Sequence, residues 1–130
     1  MKLFRLLFLS VALALVSVAS GKTVAKVSSP DGTLILTAGI NPHGQPYYEL
    51  QCGKRLLIRP SLLGLQLKDG ALDEDFRVLG FTRATKDETW QQPWGEEASV
   101  RNHYNELTMQ LKQRTGQGRL LTIVFRIFND

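Results

Sequence analysis

Short runs of alternating apolar and polar residues, separated by clusters of Gly, Pro, Asn and Asp, follow one another along the chain from residue 23 onward. The clearest run is 106–112, in which Leu107, Met109 and Leu111 alternate with polar side chains. A period of two places successive side chains on opposite faces of a β-strand. In contrast, no stretch after the first twenty residues repeats apolar residues at i, i+3, i+4 and i+7 over the length of a helix. The sequence therefore predicts an all-β fold, namely an antiparallel β-sandwich or a part of one.

Turn signals divide this part of the sequence into eight predicted strands. Pro30 and Gly32 mark a turn, because Pro fixes φ and Gly adopts a positive φ, and a similar signal recurs at 41–44. Gly53-Lys54 has the composition of a two-residue hairpin tip. The predicted strands are 23–28, 33–40, 46–52, 55–59, 63–68, 76–84, 106–112 and 119–128.

Two of these strands carry more specific predictions. Simple alternation in 76–84 places Phe76 and Phe81 on opposite faces. Apolar residues occupy both faces of 119–128, which predicts a central strand that is covered on both sides. A central strand at the end of the chain would need ladder partners from further sequence. We therefore expect the chain to be a truncated part of a larger domain.

The first twenty residues have the composition of a secretory signal peptide. Lys2 and Arg5 form a basic beginning, 6–18 is an uncharged apolar run, and small residues follow where a signal peptidase would cleave. The apolar run is shorter than the roughly 20 residues that a transmembrane helix needs. The sequence predicts a signal peptide at 1–20, a domain at 21–130, export to the periplasm or the extracellular space, and no membrane association after cleavage.

Charge and cysteine content restrict the possible partners. The chain has 16 Lys and Arg against 12 Asp and Glu, and removal of Lys2 and Arg5 leaves 14 − 12 = +2. No cluster of basic residues remains, so nucleic-acid binding is not expected. Cys52 is the only cysteine, which excludes an internal disulfide and favours a small hydrophobic side chain within a strand over a reactive thiol.

The segment 87–107, DETWQQPWGEEASVRNHYNEL, differs in composition from the predicted strands. It contains both tryptophans and one of the two histidines, and Pro93 and Gly95 interrupt it. We interpret it as a polar, aromatic segment that breaks the strand periodicity. An aromatic ring covers the apolar face of a pyranose, while charged and amide groups bind its hydroxyls. The candidates for a surface that faces carbohydrate or another domain are Trp94, Glu96, Arg101, Asn102 and His103.

A second interpretation of the same segment is purely structural. Here a tryptophan-anchored loop closes one end of the sandwich, with Trp90 in the core, because buried tryptophans usually find a partner for their N–H group.

These motifs resemble the N-terminal domain of glycoside hydrolase family 97, in one unbroken order along nearly the whole chain after residue 20. The segments that carry the resemblance are Ser29-Pro30-Asp31-Gly32, Pro46-Tyr47-Tyr48, Gly53-Lys54, Ser61-Leu62-Leu63-Gly64-Leu65, Asp87-Glu88-Thr89-Trp90, Trp94-Gly95-Glu96, Arg101-Asn102-His103-Tyr104-Asn105-Glu106-Leu107 and Phe125-Arg126-Ile127-Phe128-Asn129-Asp130. The middle motifs are long and unusual in composition, which makes a chance match improbable.

The resemblance implies a β-supersandwich similar to the galactose mutarotase fold, placed before a (β/α)8 barrel. It implies hydrolysis of α-glucosides or α-galactosides outside the cytoplasm, with α-linked oligosaccharides as the partners of the full-length enzyme and a calcium ion near the substrate. In the family the barrel supplies the catalytic carboxylates, and the N-terminal domain continues beyond Asp130. We therefore expect no cofactor within this segment, although calcium is implied for the full-length family.

The residues present do not suggest catalysis by this chain alone. Glycoside hydrolysis needs two carboxylates on either side of the bond, whereas Asp87 and Glu88 are neighbours whose side chains point to opposite faces of a strand. The same holds for Glu96 and Glu97. The two histidines lack the i, i+4 spacing of a metal motif. We predict no catalytic residue, no metal site and no glycosidase activity for the isolated chain.

Three functions remain open at this point. The first is a non-catalytic part of an exported α-glycosidase that supports carbohydrate binding and the active-site wall of the barrel. The second is a stand-alone carbohydrate-binding module. The third is a structural β-domain that contacts other proteins.

Overall fold

The computed structural model describes residues 22–95 and 98–129, which form nine β-strands and no helix. The strands are β1 (Val24–Ser28), β2 (Leu34–Ile40), β3 (Pro46–Cys52), β4 (Arg55–Leu62), β5 (Leu65–Leu67), β6 (Gly70–Leu72), β7 (Phe76–Gln91), β8 (Ser99–Gln113) and β9 (Leu120–Ile127). Within these two ranges, no helix has the length and apolar character needed to cross a membrane. The predicted signal peptide at 1–20 lies outside the described residues.

The first half of the domain is a four-stranded antiparallel sheet with the order β1-β2-β3-β4. The predicted turns connect its strands. Gly32 has φ +76° in the turn between β1 and β2, a conformation that costs glycine no steric strain. Gly53-Lys54 forms the predicted two-residue tip between β3 and β4, where Cys52 and Arg55 are direct partners. Cys52 is exposed at this tip rather than packed as a core side chain.

The second sheet has the order β7-β8-β9, and β5 and β6 form a separate small hairpin. Two groups of apolar residues fill the space between the large sheets. The fully buried side chains Leu107, Met109 and Leu111 of β8 belong to these groups. They are the alternating residues of the clearest period-two run, and their burial confirms the prediction of an all-β antiparallel sandwich.

A β-bulge in β7 changes which side chains face the core. Val78 pairs with Leu111 and Gly80 pairs with Gln110, so Leu79 is an extra residue in the strand. An inserted residue shifts the alternation by one position. As a result Phe76 and Phe81 both contact the core, and Leu79 is half exposed. The prediction that Phe76 and Phe81 lie on opposite faces was wrong for this reason.

The strands β7 and β8 also extend much further than predicted. The two strands pair continuously from Phe76↔Gln113 to Gln91↔Ser99, through most of the segment that was interpreted as a break in strand periodicity. That interpretation was wrong because polar side chains form cross-strand pairs here, and these stabilise a ribbon that has no apolar face.

The strand β9 is less enclosed than its sequence indicated. Within the described part of the chain it pairs only with β8, and its residues alternate between covered and exposed positions. Phe125 and Ile127 face the core, while Leu120 and Val124 are exposed. The prediction of a central strand covered on both sides is therefore not met by the described residues.

Candidate functional site

Beyond the last residue that pairs with β9, the β7–β8 hairpin continues as a two-stranded ribbon, residues 86–91 and 99–104. Nearly all residues of its β7 strand are exposed. Trp94, in the turn at the tip, is 83% exposed, and Trp90 is 44% exposed. Exposed aromatic side chains on a projecting, polar element are typical of a binding surface rather than of a folding core.

The inner face of the ribbon, defined as the face that continues from Leu107 toward the tip, carries an ion-pair cluster. Arg101 donates two hydrogen bonds to Asp87, from Nε to Oδ1 and from Nη2 to Oδ2, each 2.8 Å long. His103 Nε2 lies 4.0 Å from Asp87 Oδ2. The hydrogen bonds from Arg101 hold the pKa of Asp87 below its ordinary value.

The outer face, on the opposite side of the ribbon, carries a second polar group together with Trp90. Glu88 Oε1 accepts hydrogen bonds from Lys86 Nζ at 3.0 Å and from Asn102 Nδ2 at 3.2 Å. The hydrogen bond from Lys86 is the main cause that lowers the pKa of Glu88, and the bond from Asn102 lowers it further. Because Trp90 is opposite Val100 in the ladder, Asn102 is its diagonal neighbour on this face.

Three contacts at its base attach the ribbon to the sandwich. Arg83 donates to the carbonyl of Lys26 at 3.0 Å, and Asn105 Nδ2 donates to the carbonyl of Ser28 at 2.9 Å. On the outer face, Tyr104 is buried, and its ring lies beneath the guanidinium of Arg126 with its centroid 5.2 Å from that of the Phe128 ring. These contacts set the direction in which the ribbon projects.

The five predicted site residues therefore do not form one cluster. Arg101 and His103 share the inner face, Asn102 lies on the outer face, and Trp94 stands at the tip. Glu96 lies outside the described residues. The alternative that places Trp90 in the core does not fit its exposed position on the ribbon.

Comparison with known families identifies a match that covers most of the chain. The family described as "Glycosyl-hydrolase 97 N-terminal" matches residues 27–130. The chain belongs to this family. It is an N-terminal domain of the glycoside hydrolase family 97 type, as the sequence motifs indicated.

Individual relatives of this family 97 domain are much longer proteins. The retaining alpha-galactosidase of Bacteroides thetaiotaomicron is 30% identical over 105 residues, which cover 80% of this chain and 15% of the relative. A glycoside hydrolase family 97 enzyme from Pseudoalteromonas sp. strain K8, solved in complex with panose, superposes with a TM-score of 0.75 at 27% identity and covers 81% of this chain and 16% of that one. A beta-arabinopyranosidase gives a TM-score of 0.72 at 25% identity, over 81% of this chain and 16% of that one. The family 97 domain thus spans about a sixth of the length of these relatives.

The structure adds residues to the site of this family 97 domain that were not among the sequence candidates. Asp87 and Glu88 each organise one face of the ribbon, and Lys86 and Tyr104 complete the outer face. As predicted, the side chains of Asp87 and Glu88 point to opposite faces. A period-two pattern followed through 84–90, across its polar residues, would have assigned these side chains to their faces from the sequence.

Residues 22–95 and 98–129 contain no group of three or more His, Cys, Asp or Glu side chains placed to hold an ion. Asp87 and Glu88 are engaged with cations of the ribbon. The calcium ion that the family resemblance implies does not fit these residues, so no step of the function proposed below depends on it.

Proposed function

We propose that this chain is a non-catalytic N-terminal domain of an exported glycoside hydrolase that acts on α-glucosides or α-galactosides. In this proposal the ribbon supports the active-site wall of a catalytic (β/α)8 barrel, with Trp94, Arg101 and His103 toward the barrel or its substrate. Membership of family 97 supports the enzyme class. The single observation that carries the role of the ribbon is its projection from the sandwich with both tryptophans exposed.

The low stability expected for an isolated two-stranded ribbon supports a docking role. The ribbon consists of six residue pairs, from Lys86↔Tyr104 to Gln91↔Ser99. Within the described part of the chain, no third strand pairs with either of its two strands. A two-stranded ribbon in water is only marginally stable, and packing on another surface is the usual remedy. A partner that covers the inner face would supply that packing.

The charges on the inner face suit burial against a protein surface. A charged group that is buried without a partner destabilises an interface, whereas a bidentate Arg–carboxylate pair satisfies both partners. Asp87 and Arg101 form such a pair before any partner binds. The ring nitrogens of His103 lie beside this pair and are able to donate or accept hydrogen bonds, which makes His103 a candidate for contact with the barrel or its substrate.

Catalysis is assigned to the barrel in this proposal. Asp87 and Glu88 lie on opposite faces of the ribbon, so they cannot flank one glycosidic bond. We expect the isolated chain to hydrolyse neither chromogenic α-glucosides nor chromogenic α-galactosides, with or without calcium. Turnover that an Asp87→Asn or Glu88→Gln change abolishes would contradict this assignment.

The test of the wall role uses a full-length enzyme. Residues 27–129 of this chain replace the matched region of the Bacteroides retaining alpha-galactosidase, and the chimera is assayed on a chromogenic α-galactoside. We expect Arg101→Ala, His103→Ala and Trp94→Ala each to lower kcat/KM roughly tenfold, a loss of about 1.4 kcal/mol in transition-state stabilisation. For His103→Ala and Trp94→Ala the melting temperature should stay within roughly 2 °C, because these side chains lie outside both core groups. Arg101→Ala should also lower it, because Asp87 then lacks its partner on the docked face.

A matched control is Gln117→Ala, which removes an exposed side chain from the turn between β8 and β9. This turn follows the opposite end of β8 from the ribbon, so both kcat/KM and the melting temperature should be unchanged. If the three ribbon variants lowered the melting temperature and left kcat/KM intact, the ribbon would be a purely structural contact.

A further inference from the structure

We propose that the outer face of the ribbon is a platform for a neutral oligosaccharide, distinct from the inner face that docks on the barrel. The platform consists of Trp90 followed by Glu88, Asn102 and Lys86. The sugar class rests on the proposed function, while the position of the platform rests on the structure of the ribbon.

The platform combines an aromatic surface with polar groups in one row. Trp90 is 44% exposed, and Asn102 lies diagonally across the ladder from it at a separation of about 7–8 Å. Glu88 is two residues before Trp90 on the same strand, so both side chains project from the same face. A pyranose that stacks on the indole would therefore place hydroxyl groups of the same ring or the next one beside the amide and the carboxylate.

These polar groups retain free hydrogen-bonding capacity. Lys86 Nζ and Asn102 Nδ2 both donate to Glu88 Oε1. Within residues 22–95 and 98–129, Glu88 Oε2 and Asn102 Oδ1 receive no hydrogen bond from the protein. An ammonium group has three donors, so Lys86 also has protons left for a ligand. The row thus offers both free donors and free acceptors, which suits hydroxyl groups that both donate and accept.

The charges of the outer face select a neutral ligand. Lys86 pairs with Glu88 at 3.0 Å, and Arg126 pairs with Glu106 at 2.9 Å, so the two cations at and beside the platform are each balanced by a carboxylate. A phosphate or a uronate would compete with Glu88 and Glu106 for these cations. A neutral sugar leaves both ion pairs intact and uses the remaining donors and acceptors.

The length of the row indicates more than one sugar ring. Trp90 and Lys86 are four residues apart on one strand, a separation of about 14 Å at the rise of an antiparallel strand. This distance exceeds the length of a single pyranose. The platform therefore fits a short oligosaccharide, with one ring on Trp90 and a ring further along the sugar chain beside Lys86.

Intrinsic fluorescence can test the platform, because Trp90 and Trp94 are the two tryptophans of the chain. The Trp94→Phe variant leaves Trp90 as the single reporter, and the Trp90→Phe variant leaves Trp94. The chain at low micromolar concentration is titrated with the neutral trisaccharide panose, with trigalacturonate as a charged comparator and sorbitol as a control for solvent effects. We expect panose to cause a saturable change in Trp90 emission, whereas trigalacturonate and sorbitol should cause none. In the Trp90→Phe variant, panose should leave the emission unchanged.

Two further changes in the Trp94→Phe background locate the site. Asn102→Ala should weaken panose binding roughly tenfold, because it removes a polar group beside the indole. Thr89→Ala should leave binding unchanged, because Thr89 is adjacent to Trp90 but projects from the inner face. Circular dichroism of each variant confirms that it is folded before titration.

The possible outcomes separate this platform from the wall role of the inner face. No saturable change in Trp90 emission, an equal response from Trp94, or tighter binding of trigalacturonate would each overturn the platform. The kinetic effects of Arg101→Ala and His103→Ala in the chimera would remain unaffected by that failure. Conversely, panose binding to the chain together with unchanged chimera kinetics would retain the platform and reject the wall role.

Discussion

At the scale of single residues, cross-strand polar pairs explain how a segment rich in charge forms two strands. Asp87 binds Arg101 in a bidentate pair, and Glu88 accepts hydrogen bonds from Lys86 and Asn102. Each pair is exposed and makes a small contribution, because water and salt screen surface charges. Their combined effect is to favour one register of the ribbon over a slip by one residue, which would exchange the two faces.

Acid is expected to loosen the ribbon. The folded pKa values of Asp87 and Glu88 lie below their ordinary values of 3.8 and 4.5, chiefly because Arg101 and Lys86 donate hydrogen bonds to them. A lowered folded pKa means that the contribution to stability is complete above the ordinary pKa and is lost as the pH falls through the folded pKa. Trp90 emission in the Trp94→Phe variant should therefore be constant down to about pH 5 and shift to longer wavelength below about pH 4.

The control for this titration is the Asp87→Asn, Glu88→Gln double variant. It lacks both titrating groups, so its emission should change much less between the same pH values. An identical acid transition in the double variant would assign the change to another part of the domain.

At the scale of elements, the β7–β8 hairpin is one continuous pair of strands with two different environments. Near β9 it buries Leu107, Met109 and Leu111 in the core, and beyond β9 it is a ribbon exposed to solvent. The change occurs at Tyr104 and Asn105, which carry two of the base contacts. Local stability along the hairpin should therefore fall steeply from these residues toward the tip.

Loss of the Tyr104 ring should release the ribbon without unfolding the sandwich. Tyr104→Ala removes the contacts with Phe128 and Arg126, whereas Tyr104→Phe keeps the ring in place. Amide hydrogen exchange in residues 86–91 and 99–104 should become at least roughly tenfold faster in Tyr104→Ala and remain near the original rate in Tyr104→Phe. Equal exchange rates in both variants and the original chain would show that the ring does not anchor the ribbon.

At the scale of the whole molecule, the sandwich is held mainly by side chains from β8 that pack on the first sheet. Leu107 is fully buried in one apolar group together with Val27 and Leu36 of the first sheet. Met109 and Leu111 are fully buried in the other apolar group. An apolar groove of about 370 Å³ runs along β9 and is open to solvent. Its lining includes Leu34, Leu50 and Phe125. Stability therefore depends strongly on the few side chains that bridge the two sheets.

Replacement of Leu107 tests this dependence. Leu107→Ala should lower the free energy of unfolding by about 2–5 kcal/mol, because it removes buried methyl groups and leaves a cavity. Leu79→Ala is the matched control, since Leu79 is 50% exposed at the bulge and its loss should change stability by less than about 1 kcal/mol. Urea denaturation measures both values, and a similar effect for the two variants would contradict the assigned core.

Local chemistry in the sequence was sufficient to predict the fold class and the main turns, and the resemblance of its ordered motifs indicated the family. The alternation at 106–112, the positive-φ glycine in the first turn and the two-residue tip at Gly53-Lys54 all reappear in the structure. Each of these signals acts between residues that are close in sequence, so no knowledge of distant partners was needed. The polar and aromatic composition of 87–107 likewise identified the most distinctive segment of the domain before its geometry was known.

Only the tertiary structure decided which side chains share a surface. The bulge at Leu79 shifts the phase of β7, and simple alternation contains no signal for it. The extension of β7 and β8 depends on pairs such as Asp87 with Arg101, which are 14 residues apart and meet only after the hairpin has formed. Arg101, Asn102 and His103 look like one cluster in the sequence, yet the pleat of the strand directs Asn102 to the outer face and its two neighbours to the inner face. Alternation assigns neighbouring residues to opposite faces only where a strand exists, and the pairing of β7 with β8 is what makes this polar segment a strand. For this reason the sequence alone nominated these residues without separating their roles.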